Sequence, residues 1–319
     1  MPLPFHHHQQ PSPTPMPLAA LLGHKKEVRS VAWSSDSSLL ASCGEDNTAR
    51  VWNLATGQPI VTLHGKDGAE VWGLAWSPTG RVLAYGTGYT NFWDAATGQP
   101  LQPLEQPNQG SVVSLAWSPD GRAIAASDDH CSIRLWDVLY GTPMATLKDD
   151  ALEADDDAFH TCIWGVAWSP DGRLLASSSS GGVRLWDTQT WQVVAVLPMK
   201  FGNIVPASVA WSPDGRYLAA QGDPKAPWVY DRATGKPLHE HWKCEPYLTP
   251  TRVAWSPDGT FLVTGDTINQ CLGLWDVPQG KLVSVIAGKH TVNGLAWSPN
   301  GQLLAAAGVD HQVKVWAMR

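Results

Sequence analysis

The chain alternates short apolar runs with turn-forming residues along almost its whole length. In the segment 28–63, an apolar run ending at Trp33 is followed by a Ser/Asp turn, a second run over 39–43, a third over 49–52 and, after another turn, a fourth over 60–63. Short apolar and β-branched runs bounded by Gly, Pro, Asp and Ser are typical of β-strands. No segment shows a helical period, so the pattern predicts an all-β protein built from four-strand units.

This four-strand unit recurs seven times. Successive copies of an Ala-Trp-Ser phrase are 43, 41, 51, 43, 44 and 42 residues apart, with tryptophans at Trp33, Trp76, Trp117, Trp168, Trp211, Trp255 and Trp297. A Trp-Asp phrase or a variant of it closes each third strand, at Trp52, Trp93, Trp136, Trp186, Tyr230, Trp275 and Trp316. S-P-D-G and A-T-G-[QK]-P phrases between strands supply turn chemistry, because Pro presets φ, Asp accepts hydrogen bonds from the backbone and Gly takes positive φ.

A repeat of about 40–45 residues with four strands and a Trp-Asp ending resembles the WD40 family, and the resemblance runs from Leu18 to Arg319. It implies a seven-bladed β-propeller with four-stranded antiparallel blades. In this family the first strand of the chain completes the last blade. Residues 18–22 precede the first copy and the chain stops three residues after Trp316, so we expect the two ends to meet in one closing blade. The uniform turn phrases look similar to those of bacterial members.

Residues 1–17 are rich in Pro and His and have no place in such a ring. We expect a disordered tail over 1–17 and a propeller over 18–319. The N-terminus lacks the basic start and apolar stretch of a signal peptide, and no apolar run approaches the ~18 residues that cross a membrane, so we expect a cytosolic protein without a membrane partner. The five cysteines are far apart, which indicates neither a disulfide framework nor a zinc site.

The resemblance also implies a buried hydrogen-bond network of His, Ser or Thr, Asp and Trp. The first copy has all four residues at the matching places, His24, Ser42, Asp46 and Trp52. Copies 2, 4, 5 and 6 depart from the pattern at the aspartate place, so the full network is not expected there. The fold does not depend on it, because apolar packing is the larger contribution to stability. Most tryptophans of the two phrases are expected to be structural.

In a propeller, the informative positions are those where the copies differ. The residues four before each Ala-Trp-Ser tryptophan begin the innermost strands and should surround the mouth of the central channel; they are Arg29, Trp72, Val113, Trp164, Ala207, Thr251 and Asn293. Trp72 and Trp164 belong to neither repeated phrase, and Trp and Arg are frequent in binding hot spots. We therefore predict a partner-binding site that contains Trp72, Trp164, Arg29 and Asn293. The alternative is that both indoles only cover neighbouring blades.

Acidic residues are expected at the same end of the ring. Glu45 and Asp128 follow second strands and are predicted to join the binding site. An insertion over 148–160 carries six acidic residues. It is either a solvated loop or a surface that attracts a basic partner, and its spacing does not match a calcium loop.

Other chemistry has little support in the sequence. The net charge is −7 without a Lys/Arg cluster, which argues against a nucleic-acid partner. His239, His241 and Cys244 are close in sequence, but no fourth ligand is placed, so we predict neither a metal nor a cofactor. No G-x-S-x-G, phosphate-binding loop or H-E-x-x-H motif occurs, so no catalytic residue is predicted.

The leading hypothesis is a non-enzymatic scaffold that binds a peptide or protein partner, since the family it resembles acts mainly in this way. Two alternatives stay open. One is a small-ligand-binding or enzymatic propeller that uses the central channel, and the other is a structural or sensory subunit of a larger complex. Apart from Arg252, the inner-strand positions below the mouth are small or apolar, which disfavours the channel.

Overall fold

The computed structural model describes residues 17–104, 110–148, 163–197, 208–221, 226–239, 242, 248, 250–266, 268–287 and 292–318. Within these ranges the strands form seven four-stranded antiparallel sheets. The prediction of a seven-bladed all-β propeller is therefore confirmed. Apart from residue 17, the predicted N-terminal tail lies outside the described residues.

The blades follow chain order, and in blades 1 to 6 the strands run from innermost to outermost. Blade 1 contains β2 (Val28–Trp33), β3 (Leu40–Gly44), β4 (Thr48–Asn53) and β5 (Gln58–His64). Blade 2 contains β6 (Leu74–Trp76), β7 (Val82–Gly86), β8 (Thr90–Asp94) and β9 (Gln99–Leu104). Blade 3 contains β10 (Val112–Trp117), β11 (Ala123–Asp128), β12 (Ser132–Asp137) and β13 (Thr142–Lys148).

The remaining blades repeat this order. Blade 4 contains β14 (Gly165–Trp168), β15 (Leu174–Ser179), β16 (Gly182–Asp187) and β17 (Val193–Leu197). Blade 5 contains β18 (Val209–Trp211), β19 (Tyr217–Ala220), β20 (Trp228–Asp231) and β21 (Lys236–Pro237). Blade 6 contains β22 (Pro250–Trp255), β23 (Phe261–Asp266), β24 (Cys271–Asp276) and β25 (Lys281–Ala287). Blade 7 contains β26 (Val292–Trp297), β27 (Leu303–Gly308) and β28 (Gln312–Ala317).

Blade 7 joins the two ends of the chain. Its outermost strand is β1 (Ala19–Leu22), which runs antiparallel to β28 with Ala19 opposite Val315. The predicted closure is therefore correct. Leu21 is fully buried in an apolar core that combines residues of blades 7 and 1, including Trp52 and Val313. The closing joint is thus an apolar core like those between the other blades.

One hydrogen bond repeats between neighbouring blades. The indole Nε1 of the innermost tryptophan donates to the carbonyl oxygen of the alanine that precedes the corresponding tryptophan one blade earlier. The N···O distances are 3.0–3.2 Å for Trp33, Trp76, Trp117, Trp168, Trp211 and Trp255. Between blades 6 and 7, Trp297 Nε1 makes no hydrogen bond with the described residues. At this junction the hydrogen bond between the blades comes from another side chain. Arg252 Nε in blade 6 donates to the carbonyl oxygen of Asn293 in blade 7 at 2.5 Å.

The tryptophan of the Trp-Asp phrase depends on a hydroxyl in the strand beside it. Trp52 Nε1 donates to Ser42 Oγ at 2.7 Å, and equivalent bonds at 2.9 Å occur in blades 4 and 6. In blade 3 the position of this hydroxyl is occupied by Ala126. Ala126 lies two residues after Ile124, which is the partner of Trp136 in the pairing of β11 with β12. Trp136 Nε1 is buried and has no hydrogen-bond partner among the described residues. The cause of this unsatisfied donor is therefore a single missing oxygen.

The turn after the Trp-Asp phrase requires a positive φ. Glycine supplies it in five blades, with φ of 61–69° at Gly57, Gly98, Gly141, Gly235 and Gly280. In blade 4 the residue is Trp191, with φ 57°. A left-handed conformation costs about 1–2 kcal/mol for a residue that has a Cβ. Blade 4 thus carries a strained aromatic residue where blades 1, 2, 3, 5 and 6 have glycine.

We expect Ala126→Ser to raise the free energy of unfolding by about 1 kcal/mol, because the new hydroxyl can accept the hydrogen bond of Trp136 Nε1. Denaturant unfolding measures the change. In a Trp136→Phe background, which lacks the donor, the same serine should give no gain. Equal gains in both backgrounds would show that the indole is not responsible.

Candidate functional site

The first residues of the innermost strands converge on a narrow channel at the centre of the ring. Its volume is about 150 Å³, and residues two to four positions before the innermost tryptophans line it. The channel is narrow because Gly or Ser lets neighbouring strands approach; a Cβ on Gly294 would lie 2.9 Å from the Cα of Ser30 in the next blade.

Five of the seven predicted mouth positions border this channel, namely Arg29, Trp72, Val113, Trp164 and Asn293. Thr251 is not among the lining residues, and its hydroxyl donates to the carbonyl of Gly265 at 3.1 Å. Ala207 lies outside the described residues. The structure therefore brings the four predicted contact residues Trp72, Trp164, Arg29 and Asn293 to one end of the channel.

Arg29 is the centre of a charged cluster at this mouth. Its guanidinium carbon lies 4.7 Å from the centre of the Trp72 ring. Its Nη2 pairs with Glu45, and its Nη1 lies 3.4 Å from Oε2 of Glu27. Asn293 Nδ2 donates to the same Glu27 oxygen at 3.4 Å. The Arg29 guanidinium therefore contacts two carboxylates and the face of the Trp72 ring.

Glu27 was missed by the sequence analysis. It lies two residues before Arg29, directly before the innermost strand of blade 1. This spacing is the signal that could have placed Glu27 beside the mouth. Its role is to connect Arg29 of blade 1 with Asn293 of blade 7.

A second guanidinium lies among the channel-lining residues. Arg252 occupies the place where the other innermost strands have Gly or Ser. Besides the bond to Asn293, its Nη1 donates to the carbonyl of Thr251 at 3.1 Å. Burial, and secondly the positive charge of Arg29, lowers the pKa of Arg252 to about 10. Arg252 therefore stays charged at neutral pH.

Trp164 begins the mouth segment of blade 4 and is half-buried. Its main-chain N–H donates to the carbonyl of Ser178 at 3.0 Å. Its indole Nε1 is buried and makes no hydrogen bond within the described part of the chain. The backbone of Trp164 is thus fixed to blade 4, whereas its indole has no polar partner there.

The expectation that Asp128 faces the mouth is wrong, because Asp128 is only 1% exposed. Its Oδ1 accepts hydrogen bonds from the main-chain N–H groups of His130 and Ser132 at 3.0 and 2.9 Å. It therefore holds the turn between β11 and β12. Asp128 is eleven residues after Trp117, whereas Glu45 is twelve after Trp33. The equivalent of Glu45 is Asp129, whose side chain is 41% exposed.

Residues 149–160 of the acidic insertion lie outside the described residues, as do His241 and Cys244. His239 Nε2 lies 2.7 Å from the carbonyl oxygen of Val277, and its ring contacts Trp242 edge-on at 5.0 Å. In the described part of the chain, no group of three or more His, Cys, Asp or Glu side chains could hold a metal ion. No helix in that part has the length and apolar composition that a membrane crossing requires.

A family model decides the relationship of this chain to known proteins. The model of the WD domain, G-beta repeat, matches residues 16–53, 57–94, 98–137, 158–187, 238–276 and 280–317, which is more than half of the chain. The protein belongs to the WD40 family. Blade 5 is the unmatched blade, and it is the one in which Tyr230 stands in the place of the Trp-Asp tryptophan.

Individual WD40 relatives match parts of the chain. A component of chromatin assembly factor 1 from Gallus gallus is 36% identical over 64 residues, 20% of this chain and 11% of that protein. Protein FIZZY-RELATED 1 of Arabidopsis thaliana is 43% identical over 61 residues, 19% and 13% of the two chains. Protein HIR1 of Gibberella zeae is 25% identical over 313 residues, 92% and 23%. The chain thus spans less than a quarter of the length of these relatives.

The first blade of this WD40 propeller contains a continuous polar network. His24 Nε2 lies 2.7 Å from Ser42 Oγ, and its Nδ1 lies 3.0 Å from both carboxylate oxygens of Asp46. Trp52 Nε1 donates to the same Ser42 oxygen. Burial opposes ionisation of Asp46, but hydrogen bonds from His24 and Thr48 hold the pKa of Asp46 well below its usual range. The network connects the segment before β2 with the β3–β4 turn that carries Glu45.

We expect Asp46→Asn to lower the free energy of unfolding of the WD40 propeller by about 2 kcal/mol at pH 7, because hydrogen bonds to charged groups contribute about 1.5–3 kcal/mol. The folded pKa of Asp46 lies below its unfolded value of about 3.9, so the unfolded chain binds more protons and the contribution is lost as the pH falls below about 4. Urea unfolding at pH 7 and pH 3 tests this. The difference between wild type and variant should shrink at pH 3, and an unchanged difference would contradict the assignment.

Proposed function

We propose that this WD40 propeller is a non-enzymatic scaffold that binds a peptide or protein segment at the channel mouth. The contact residues are Trp72, Trp164, Arg29, Asn293 and Glu45. The observation that carries the proposal is the position of the two indoles, which border the channel although neither belongs to a repeated phrase. Trp and Arg dominate binding hot spots, and membership in the WD40 family supports partner binding.

The geometry of the mouth suits a partner that meets a preformed surface. Trp72 lies against the Arg29 guanidinium, which two carboxylates hold in place. Fixing such side chains in advance reduces the ordering cost of binding, which is about 0.5–1.5 kcal/mol for each immobilised side chain. Trp164 adds a second aromatic surface from blade 4. A segment lying across the mouth would contact both indoles.

The channel itself gives the alternative of a small-ligand or enzymatic site little support. Its volume of about 150 Å³ is below the roughly 300–1,000 Å³ of typical ligand pockets. The ionisable residues that line its described part are Arg29 and Arg252. A guanidinium stays protonated near neutral pH and cannot act as a general base. We therefore propose no catalytic residue and no cofactor.

The chemistry of the partner is part of the proposal. A protein is favoured over a nucleic acid because the chain has a net charge of −7, which would repel phosphates. A basic segment is favoured by the six acidic residues of the insertion over 148–160. At the mouth, however, the Glu45 carboxylate already pairs with Arg29. Aromatic stacking is therefore proposed as the main contribution there.

The proposed compartment is the cytosol, because the five cysteines are far apart and do not indicate the disulfide framework of a secreted protein. The name of one relative refers to chromatin assembly, so the nucleus is the alternative. Fluorescence microscopy of a tagged full-length chain in its native cell distinguishes the two compartments. Exclusion of the tagged chain from the cytosol would contradict the proposal.

The double variant Trp72→Ala/Trp164→Ala is expected to reduce capture of the native partner at least about tenfold, since two hot-spot aromatics are removed. Both side chains are only half-buried, so the melting temperature should fall by about 3 °C or less. The measurement is affinity capture from the native cell with quantitative mass spectrometry. Tyr140→Ala removes an aromatic residue that is 74% exposed in a turn far from the mouth and is the matched control. Undiminished capture by the double variant would disprove the mouth site.

A further inference from the structure

A cleft lies between blades 3 and 4, at the end of the ring opposite to the mouth. The innermost strands begin at the mouth, so the S-P-D-G turns that follow them lie at the other end. The cleft has a volume of about 410 Å³ and is bordered by Trp168, Trp191, Asp120 and Thr188. This volume falls within the range of typical ligand pockets. The cleft has no part in the proposed mouth site.

The next junction, between blades 4 and 5, shows what occupies the equivalent position. There Arg232, the residue after the Tyr-Asp phrase, extends over the ring of Trp211 with its guanidinium carbon 5.6 Å from the ring centre. Its Nη1 donates to Oδ2 of Asp171, the S-P-D-G aspartate of blade 4, at 2.8 Å. This fold therefore already contains one guanidinium site that is made of an indole and a turn aspartate.

Between blades 3 and 4 the equivalent indole and turn aspartate are present, but the position of the arginine is occupied by another residue. Asp120 stands in the place of Asp171, and Trp168 in the place of Trp211. Thr188 stands in the place of Arg232. Its short side chain ends in a hydroxyl that donates to the carbonyl of Gly172 at 2.8 Å. Thr188 therefore does not supply the cation that fills the next junction.

At the other five junctions an apolar residue takes this position and packs against the local core. These residues are Leu54, Ala95, Val138, Val277 and Met318. Among the described junctions, the one between blades 3 and 4 thus has neither an apolar residue nor an arginine in this position. Trp168 and Asp120, which correspond to the indole and the carboxylate that contact Arg232, therefore border the cleft.

Trp191 forms an additional wall of the cleft. Its ring centre is 6.1 Å from that of Trp168, with the two planes at 84°. It occupies the left-handed position that is glycine in the other described turns of this kind. Strained backbone conformations concentrate at functional sites. Here the strained residue places a second indole beside the first.

The charges of the cleft favour a cation. Oδ1 of Asp120 accepts hydrogen bonds from the Ser118 hydroxyl at 2.6 Å and from the main-chain N–H of Arg122 at 3.1 Å. These bonds lower the pKa of Asp120, so it is ionised at neutral pH. Asp137 is a second carboxylate of the lining, and Arg122 is a lining cation. Asp171 also borders the cleft, but its charge is engaged by Arg232.

We propose that this cleft binds an arginine side chain of a partner protein, with the guanidinium over Trp168 and paired with Asp120. Arginine is favoured over lysine because its planar guanidinium stacks on an indole while it donates to the remaining carboxylate oxygen, Oδ2, as Arg232 does with Asp171 beside Trp211. The proposal does not depend on the mouth site, since the two sites lie at opposite ends of the ring. Either can fail without the other.

The test uses N-acetyl-arginine N-methylamide as the probe. It is titrated into the full-length ¹⁵N-labelled chain, and the indole N–H signals of Trp168 and Trp191, assigned with Trp→Phe variants, are followed by NMR. Saturable shifts of both signals are expected. Asp120→Asn should weaken binding at least fivefold, and the lysine analogue should bind at least fivefold more weakly. Asp258→Asn, the same turn residue at the junction covered by Met318, is the matched control and should change nothing.

A second variant keeps the test decisive if Asp120→Asn folds poorly. In Thr188→Arg the new arginine side chain should occupy the cleft, as Arg232 occupies the equivalent position between blades 4 and 5. The probe should then cause no shifts, and the melting temperature should rise. Conversely, Arg232→Thr should open an equivalent site and make the Trp211 signal respond to the probe. Absence of saturable shifts in the wild type, equal affinity for the lysine analogue, or unchanged binding by Thr188→Arg would overturn the proposal.

Discussion

Each blade is attached to the one before it by an indole N–H that donates to a main-chain carbonyl across the junction. The bond occurs at six junctions with nearly the same length, so it sets the spacing of the innermost strands. Alanine supplies the carbonyl because a larger side chain would compete with the indole for space. A narrow central channel follows from this spacing. Both proposed binding sites lie outside the interior of this channel, one at its mouth and the other in the cleft between blades 3 and 4.

Both proposed sites are built from residues that the repeated framework does not require. At the mouth, Trp72 and Trp164 occupy positions that are Arg, Val, Ala, Thr or Asn in the other copies. At the opposite end, Thr188 leaves a cleft that other blades cover, and Trp191 replaces glycine despite the strain. Such residues can be recognised because the other blades show which residue types the fold accepts at the equivalent position. The same reasoning explains Trp136, whose unsatisfied indole results from one missing hydroxyl.

Much of the fold and part of the candidate site could be predicted. The number of repeats and the equivalence of Arg29, Trp72, Trp164 and Asn293 follow from counting along the repeat, whereas the ring and its closing strand were implied by the resemblance to the WD40 family. Asp128 was misplaced because it is the last residue of β11 and does not follow it; Asp129, one residue later, is the equivalent of Glu45, and one residue changes the side of a strand on which a group lies. The crossing of Arg252 to Asn293 could not be predicted, since nothing local to either residue indicates the other.

The amino-acid sequence by itself determined the number of blades, their order and their turns. These features depend on interactions within a few residues, such as strand alternation, the Ser–Asp bond of the S-P-D-G turn and the positive φ of glycine. Only the tertiary structure decided which side chains meet across a junction. Arg232 and Asp171 are 61 residues apart, and Arg252 and Asn293 are 41 apart. Such pairs are brought together by the packing of one blade against the next, whose geometry no local sequence pattern contains.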